Sequence, residues 1–271
     1  ASNPDTQKAA EALAKIPFQV HLNTTLNQGH LLETEGEVIL LPVRTRDEEQ
    51  EYTTQESMFN FVRMSDGGKP RIPNAKSEMD IITTLAKDII PAEIMDFRPF
   101  QKSDEVRMAI AQVIPGFAKI EELAKSKTEF HIAGRLLKDN TFPTKTGKAT
   151  FARFFLPENH AVEKHFKMMS IRSEGQYNSI IYEEQDLYRG QKSRNVVLMH
   201  PKDISDNGYQ EDDLVTLKSS VGELTNLILK PFDIRRGNVM TYYPEANILI
   251  PQGVDQRSRT PSFKNVVVHI F

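Results

Sequence analysis

After about residue 165 the chain is interrupted too often by glycine and proline to build long helices. Six short extended segments follow one another there, at 167–171, 195–199, 214–217, 223–229, 238–242 and 265–270. β-Branched and long apolar residues dominate them, and turn residues separate them. Such a series must pair face to face or close on itself to cover its edges, which predicts a β-sandwich or barrel. One short helix interrupts the run, from Pro201 to about Asn207. Proline suits its first position, and Gly208 suits the left-handed residue that follows a helix end.

The chain before residue 165 reads differently. Asn3 can cap a helix with Pro4 at its first position, carrying Ala9, Ala10, Ala12, Leu13, Ala14 and Ile16 until Pro17 stops it. A strand at 18–22 and a second apolar run at 38–41 suit buried strands of a parallel sheet. A helix at residue 1 with no strand before it predicts a portion of a longer α/β chain. Residues 45–76 read as loop, with a turn at Asp66-Gly67-Gly68-Lys69-Pro70. Ser77 caps a helix whose Ile81, Ile82, Leu85, Ala86 and Ile89 share a face, and Ser103-Asp104-Glu105 opens another with Val106, Ile110, Val113 and Ile114. A short helix at 120–124 and an extended piece at 149–154 follow. This divides the chain into residues 1–92, a helical and extended connector at 93–164, and 165–271.

Composition excludes several classes of function. The chain has no cysteine, so disulfides, thiolate zinc sites, cysteine-ligated iron–sulfur clusters and a cysteine nucleophile are ruled out within it. Its net charge of −3 gives no sign of nucleic-acid binding. Its apolar runs fall well short of the about 20 residues a membrane span needs. No Gly-x-Gly-x-x-Gly, P-loop or Gly-x-Ser-x-Gly motif is present. The seven histidines are scattered, and His160 and His165, five apart, miss the helical spacing of paired ligands. With no visible export signal, these features give an expectation of cytoplasmic location.

Three polar segments remain. The first, Ser170-Ile171-Arg172-Ser173-Glu174-Gly175-Gln176-Tyr177-Asn178-Ser179, follows a strand and concentrates donors suited to a phosphate-bearing or heterocyclic ligand; an ordinary polar loop explains it equally well. The second runs from His200 through Gly208 to Leu217 and is a structural strand–helix–turn–strand device. The third is Tyr242-Tyr243-Pro244-Glu245-Ala246-Asn247, followed by Thr260-Pro261-Ser262-Phe263-Lys264. Asn247 can read a heterocycle edge and Lys264 can neutralise a phosphate, or both can be barrel-loop surface.

In this order the three segments resemble the C-terminal dinucleotide-binding domain of molybdopterin-dependent oxidoreductases, in their formate dehydrogenase-like (FdhF/YdeP-type) branch. Residues 23–42, Gln55-Glu56-Ser57 and Ser77-Glu78 resemble the preceding α/β domain, so residues 1–92 correspond to part of that Rossmann-like domain. One departure is Asp212, where such domains usually carry glycine.

The resemblance implies a mixed fold, a partial α/β domain followed by a six-stranded double-psi β-barrel over 165–271. It implies a bis-molybdopterin guanine dinucleotide cofactor with molybdenum or tungsten, and any iron–sulfur cluster and the protein's metal ligand would lie in N-terminal domains outside this sequence. Arg172, Ser173, Gln176 and Asn178 would contact pterin or phosphates. Asn247 and Lys264 would approach from the other side, with Tyr243 and Glu245 shaping that loop and Thr24 and Glu56 at the nucleotide end. The complete enzyme would carry out two-electron redox chemistry on a small-molecule substrate with a redox partner; this portion alone would not turn over. The competing expectation is a non-catalytic double-psi barrel that binds or scaffolds a partner.

Overall fold

A computed structural model describes residues 3–133, 140–153, 155, 164–178 and 181–271. The chain forms two compact units, one of residues 1–19, 26–38 and 156–271, the other of residues 20–25 and 39–155. Helix α1 (Thr6–Ala14) is capped not by Asn3 but by Asp5, which adopts φ 48° and accepts from Lys8 N. Asp5 N–H also donates to Ile250 O at 2.8 Å, which ties the helix start to the C-terminal segment of its own unit.

Strands β1 (Phe18–Asn23) and β2 (Glu37–Pro42) form a two-stranded sheet. Glu37 N–H bonds Pro17 O and Val43 N–H bonds Asn23 O, so the strands run parallel, as their flanking elements predict. Their apolar side chains are not buried, however: Phe18, Val20 and Leu40 are exposed, whereas Gln19 is buried and donates to Leu13 O of α1 at 2.8 Å.

The second unit corrects the loop assignment for 45–76. Strands β3 (Thr53–Glu56) and β4 (Phe61–Ser65) pair antiparallel and are joined later by β5 (Phe130–His131). Helices α2 (Glu78–Ile89), α3 (Ser103–Val113) and α4 (Leu123–Ser126) complete it, and Val62, Phe117, Ile120, Leu123, Phe130 and Ile132 form its core. Ser77 caps α2 as its sequence predicts, accepting from Asp80 N at 2.9 Å. The apolar faces are only partly used: Ile81 is buried, whereas Ile82, Leu85, Ile89, Val113 and Ile114 are exposed and Arg107 is buried on α3. Residues 149–153 are irregular rather than extended, with Phe151 fully open to solvent; Phe154 and His160 lie outside the described residues.

A clasp holds the start of this unit. Gly68 lies so close to the 47–49 turn that a Cβ there would sit 1.9 Å from Asp47 O, so no larger residue fits. Glu48 accepts from Thr45 N, from Arg71 N at 2.9 Å and from Arg71 Nε at 3.1 Å, and these bonds lower its pKa from 4.5 to about 2. A depressed carboxylate stabilises the fold fully above its unfolded pKa and loses that contribution as pH falls through its folded one. The clasp is therefore expected to weaken between pH 4.5 and about 2. Faster amide exchange of Gly68 and Arg71 over that window, absent in Glu48→Gln, is the measurement; an unchanged acid response in the variant removes Glu48 as its source.

The barrel comprises β6 (His165–Ile171), β7 (Val196–Met199), β8 (Leu214–Lys218), β9 (Glu223–Pro231), β10 (Asn238–Tyr242) and β11 (Val266–Ile270). Helix α5 (Pro201–Asp206) follows β7. The strands close in the order β10-β6-β11-β8-β9-β7. Two pairs, β10 with β6 and β7 with β9, are parallel, and the rest are antiparallel. Alternate residues of each strand fill the interior, among them Phe166, Met168, Val197, Met199, Leu217, Leu229 and Val268. Gly208 takes the left-handed conformation (φ 78°) at the end of α5. Asp212 also does so, at φ 71°, which explains why glycine is usual there; aspartate tolerates this region better than most residues, and here it pairs with Lys230. Among the described residues no helix is long and apolar enough to cross a membrane.

Candidate functional site

Strand polarity decides which loops meet. β6 and β10 are parallel in register, Ile171 opposite Tyr242, so the segments after them leave the barrel at the same end. β11 runs antiparallel to β6, which brings the lead-in to β11, with Lys264, to that end. β7 runs antiparallel to β10, which brings the lead-in to β7, with Arg194, there as well. Residues about 70 to 90 positions apart in sequence are thereby gathered by topology alone.

The loop after β6 is ordered by its own side chains. Gly175 takes φ 67° in the turn, and Asn178 takes φ 50°. Gln176 Oε1 accepts from Ser173 N at 3.0 Å and from Ser173 Oγ at 3.3 Å, while its Nε2 donates to Asn178 O at 2.9 Å and to Tyr243 O at 2.6 Å. Both Gln176 donors are thus taken by the protein. Arg172 projects from the loop, exposed, donating to Asn178 Oδ1 at 3.2 Å with its guanidinium 5.1 Å from the Tyr243 ring centroid.

Two ion pairs, each with one buried partner, lie among these loops. Arg194 and Glu245 pair through both guanidinium edge nitrogens at 2.8 and 2.9 Å. Asp186, almost wholly buried, accepts from Tyr242 Oη and Arg189 Nη1 at 2.7 Å each, and from Glu174 N and Tyr188 N. Burial pushes the Asp186 carboxyl upward, but the hydrogen bonds from Tyr242, Arg189 and Glu174 outweigh it and leave its pKa below the ordinary value. Burial and the bond to Asp186 push the Tyr242 phenol well above its ordinary range. Arg189 also donates to Arg172 O at 3.0 Å.

Lys264 donates to Ser170 O from the strand that leads into the first loop. Burial of its ammonium, with Arg172 and Arg189 nearby, lowers its pKa. Arg189 is neutralised by Asp186, whereas the partners found for Arg172 and Lys264 among the described residues are neutral. This end of the barrel therefore carries two uncompensated cations, one of them beside the Tyr243 ring. That arrangement favours an anionic ligand with a planar part.

The structure brings together Arg172, Ser173, Gln176, Asn178, Tyr243, Glu245 and Lys264. Asn247 belongs to the same end, in the turn after Pro244, but its side chain is fully buried. Ser173 and Tyr243 are also nearly buried. Thr24 and Glu56 fall in the other unit, in the turn after β1 and at the end of β3. Ser179 lies outside the described residues. Sequence reading missed Asp186, Arg189 and Arg194, which stand in the irregular stretch before β7. Their one local signal is the Asp186–Arg189 spacing of three.

Residues 166–267 match the family model described as "Molydopterin dinucleotide binding domain". The match spans nearly the whole barrel, which is thus similar to molybdopterin dinucleotide binding domains. Relatives match nearly the whole chain. An uncharacterized oxidoreductase of Mycobacterium tuberculosis (strain ATCC 25618 / H37Rv) is 30% identical over 288 residues, covering 99% of this chain and 37% of the relative. Protein YdeP of Escherichia coli K12 is 28% identical over 288 residues, covering 98% of this chain and 38% of its own length. The chain thus spans under two fifths of the curated relatives it matches. Among solved structures, acetylene hydratase from Pelobacter acetylenicus superposes with a TM-score of 0.69 at 13% identity, over 99% of this chain and 42% of that one. That likeness shows a shared fold, consistent with the double-psi form of the barrel. The family match and the relatives together support a cofactor-binding role for the barrel.

Proposed function

We propose that the gathered end of the dinucleotide binding domain holds the phosphate-bearing and pterin parts of a bis-molybdopterin guanine dinucleotide. The observation that carries this is the pair of cations, Arg172 and Lys264, whose partners among the described residues are neutral, beside Tyr243. The donor set fits the group: cations for phosphates and the exposed Asn178 amide for a ring edge. In this reading Arg172, Asn178 and Lys264 touch the cofactor. Ser173, Gln176, Tyr243, Glu245 and Asn247 shape the surface, and Thr24 and Glu56 serve the nucleotide end. When bound, the group supplies two-electron redox chemistry at molybdenum or tungsten; this chain binds and orients it. The complete protein is read as a formate dehydrogenase-like oxidoreductase of a small-molecule substrate, coupled to a redox partner and located in the cytoplasm.

The test uses the full-length protein. Loss of one charge-assisted hydrogen bond costs about 2 kcal/mol, or roughly thirtyfold in affinity. Arg172→Ala and Lys264→Ala are each expected to lower pterin and metal content after dialysis, more so in high salt, while the barrel's circular dichroism is unchanged. Wild-type content in both variants removes this end of the barrel from the cofactor site.

A further inference from the structure

We propose that Arg194 is a positioning residue that sets the geometry of the cofactor face without touching the cofactor. The inference rests on the cofactor reading above. Arg194 enters from Ser193-Arg194-Asn195, the lead-in to β7, and its side chain is only 3% exposed. A guanidinium has five N–H donors. Nε donates to Glu245 Oε1 at 2.8 Å, and Nη2 donates to Glu245 Oε2 at 2.9 Å and Tyr243 O at 2.5 Å. Nη1 donates to Ser173 Oγ at 2.9 Å and Gln176 Oε1 at 3.3 Å. All five donors are spent inside the protein, and the faces of the guanidinium are covered by Tyr182 at 4.1 Å and Tyr242 at 5.0 Å. No donor is left for a ligand.

What those donors join is informative. Ser173 and Gln176 belong to the loop after β6, and Tyr243 and Glu245 to the segment after β10. The two strands are hydrogen-bonded neighbours, but their exit loops share few direct links. Gln176 Nε2 to Tyr243 O is one, and Gln176 is itself held by Arg194. Arg194 thus fixes the spacing between Arg172, on the first loop, and the Tyr243 ring on the second. Lysine keeps the charge but cannot reproduce a planar fork that reaches four residues at once. The role is one of geometry, and charge alone does not supply it.

The experiment compares variants of the full-length protein, reading pterin and metal content and amide hydrogen exchange. Arg194→Ala is expected to lower retained cofactor at least tenfold and to speed exchange at Ser173 and Gln176, with β6 and β10 amides still protected. Arg194→Lys is expected to restore little, whereas Arg172→Lys, acting directly on the ligand, restores much of what Arg172→Ala loses. If Arg194→Ala fails to fold, the pair Ser173→Ala and Glu245→Gln, each removing one arm of the brace, carries the test, with retention reduced and loop exchange faster in both. Wild-type retention in a folded Arg194→Ala, or full rescue by lysine, overturns the proposal; so does wild-type retention in both arm variants. If Arg172→Ala and Lys264→Ala also keep their cofactor, the cofactor reading fails instead, so the two failures are distinguishable.

Discussion

Asp186→Ala is expected to destabilise the barrel by about 3 kcal/mol, the scale seen when one partner of a buried ion pair is removed. The carboxylate is 1% exposed and gathers four donors: the Tyr242 hydroxyl, the Arg189 guanidinium and the backbone N–H groups of Glu174 and Tyr188. Alanine leaves the Tyr242 hydroxyl and the two backbone N–H groups without this acceptor, and the Arg189 guanidinium with Arg172 O alone. Urea unfolding followed by tyrosine fluorescence, with exchange at β10 amides, measures the loss. Asp186→Asn, which keeps the shape and one carbonyl oxygen, is expected to fall between the two. The carboxyl is held below its ordinary pKa of 3.8, so its stabilisation is fully present above that pH and is lost as pH falls through the folded value. A variant within about 0.5 kcal/mol of the wild type at pH 7 would show that Asp186 is solvated in solution.

The same residue shows where sequence reading runs out. The barrel strands were legible because each is a short apolar run between turn residues; Asn238–Tyr242, after Gly237, is found with the boundaries its pattern gives. Thr53–Glu56 was missed because Thr-Thr-Gln-Glu has no apolar alternation, and its pairing with Phe61–Ser65 comes from tertiary context. The apolar runs at β1 and β2 were read as buried because run length does not say what packs against it. Asn3 was read as the cap because Pro4 after it suits a first helical position, yet Asp5 is the residue whose carboxylate reaches Lys8 N.

The site divides the same way. Arg172, Asn178 and Lys264 stood out because polar residues clustered in loops carry a visible signal, and the structure places them at one end of the barrel. Asp186, Arg189 and Arg194 lie within residues 182–194, a stretch of mixed charge without apolar periodicity. Their burial depends on Tyr242 and Glu245, more than fifty positions away, and no local pattern announces it. Gln176 illustrates a further limit: its donors suit a ligand on paper, but the fold uses both of them. Capacity can be read from a side chain's chemistry, whereas availability is a property of the folded network.

Leu217→Ala and Leu214→Ala should separate sharply, although both replace a leucine on β8. Leu217 is fully buried in the barrel core with Phe166, Met199 and Val268, whereas Leu214 is 67% exposed. Three positions apart on one strand, they point to opposite faces. Truncating the inner one removes buried methyl groups and leaves a cavity, at a cost of about 3 kcal/mol. Truncating the outer one is expected to change stability by no more than about 0.5 kcal/mol. Because the residue type and strand are held constant, propensity cancels and the difference reports packing alone. The barrel also sets the distance between the loops that carry Arg172 and Tyr243. The inner variant should therefore release cofactor from the full-length protein at lower temperature than the outer one, in step with its unfolding. Equal costs at the two positions would mean that β8 does not present Leu217 to a closed interior, and the convergence of loops argued from strand polarity would lose its frame.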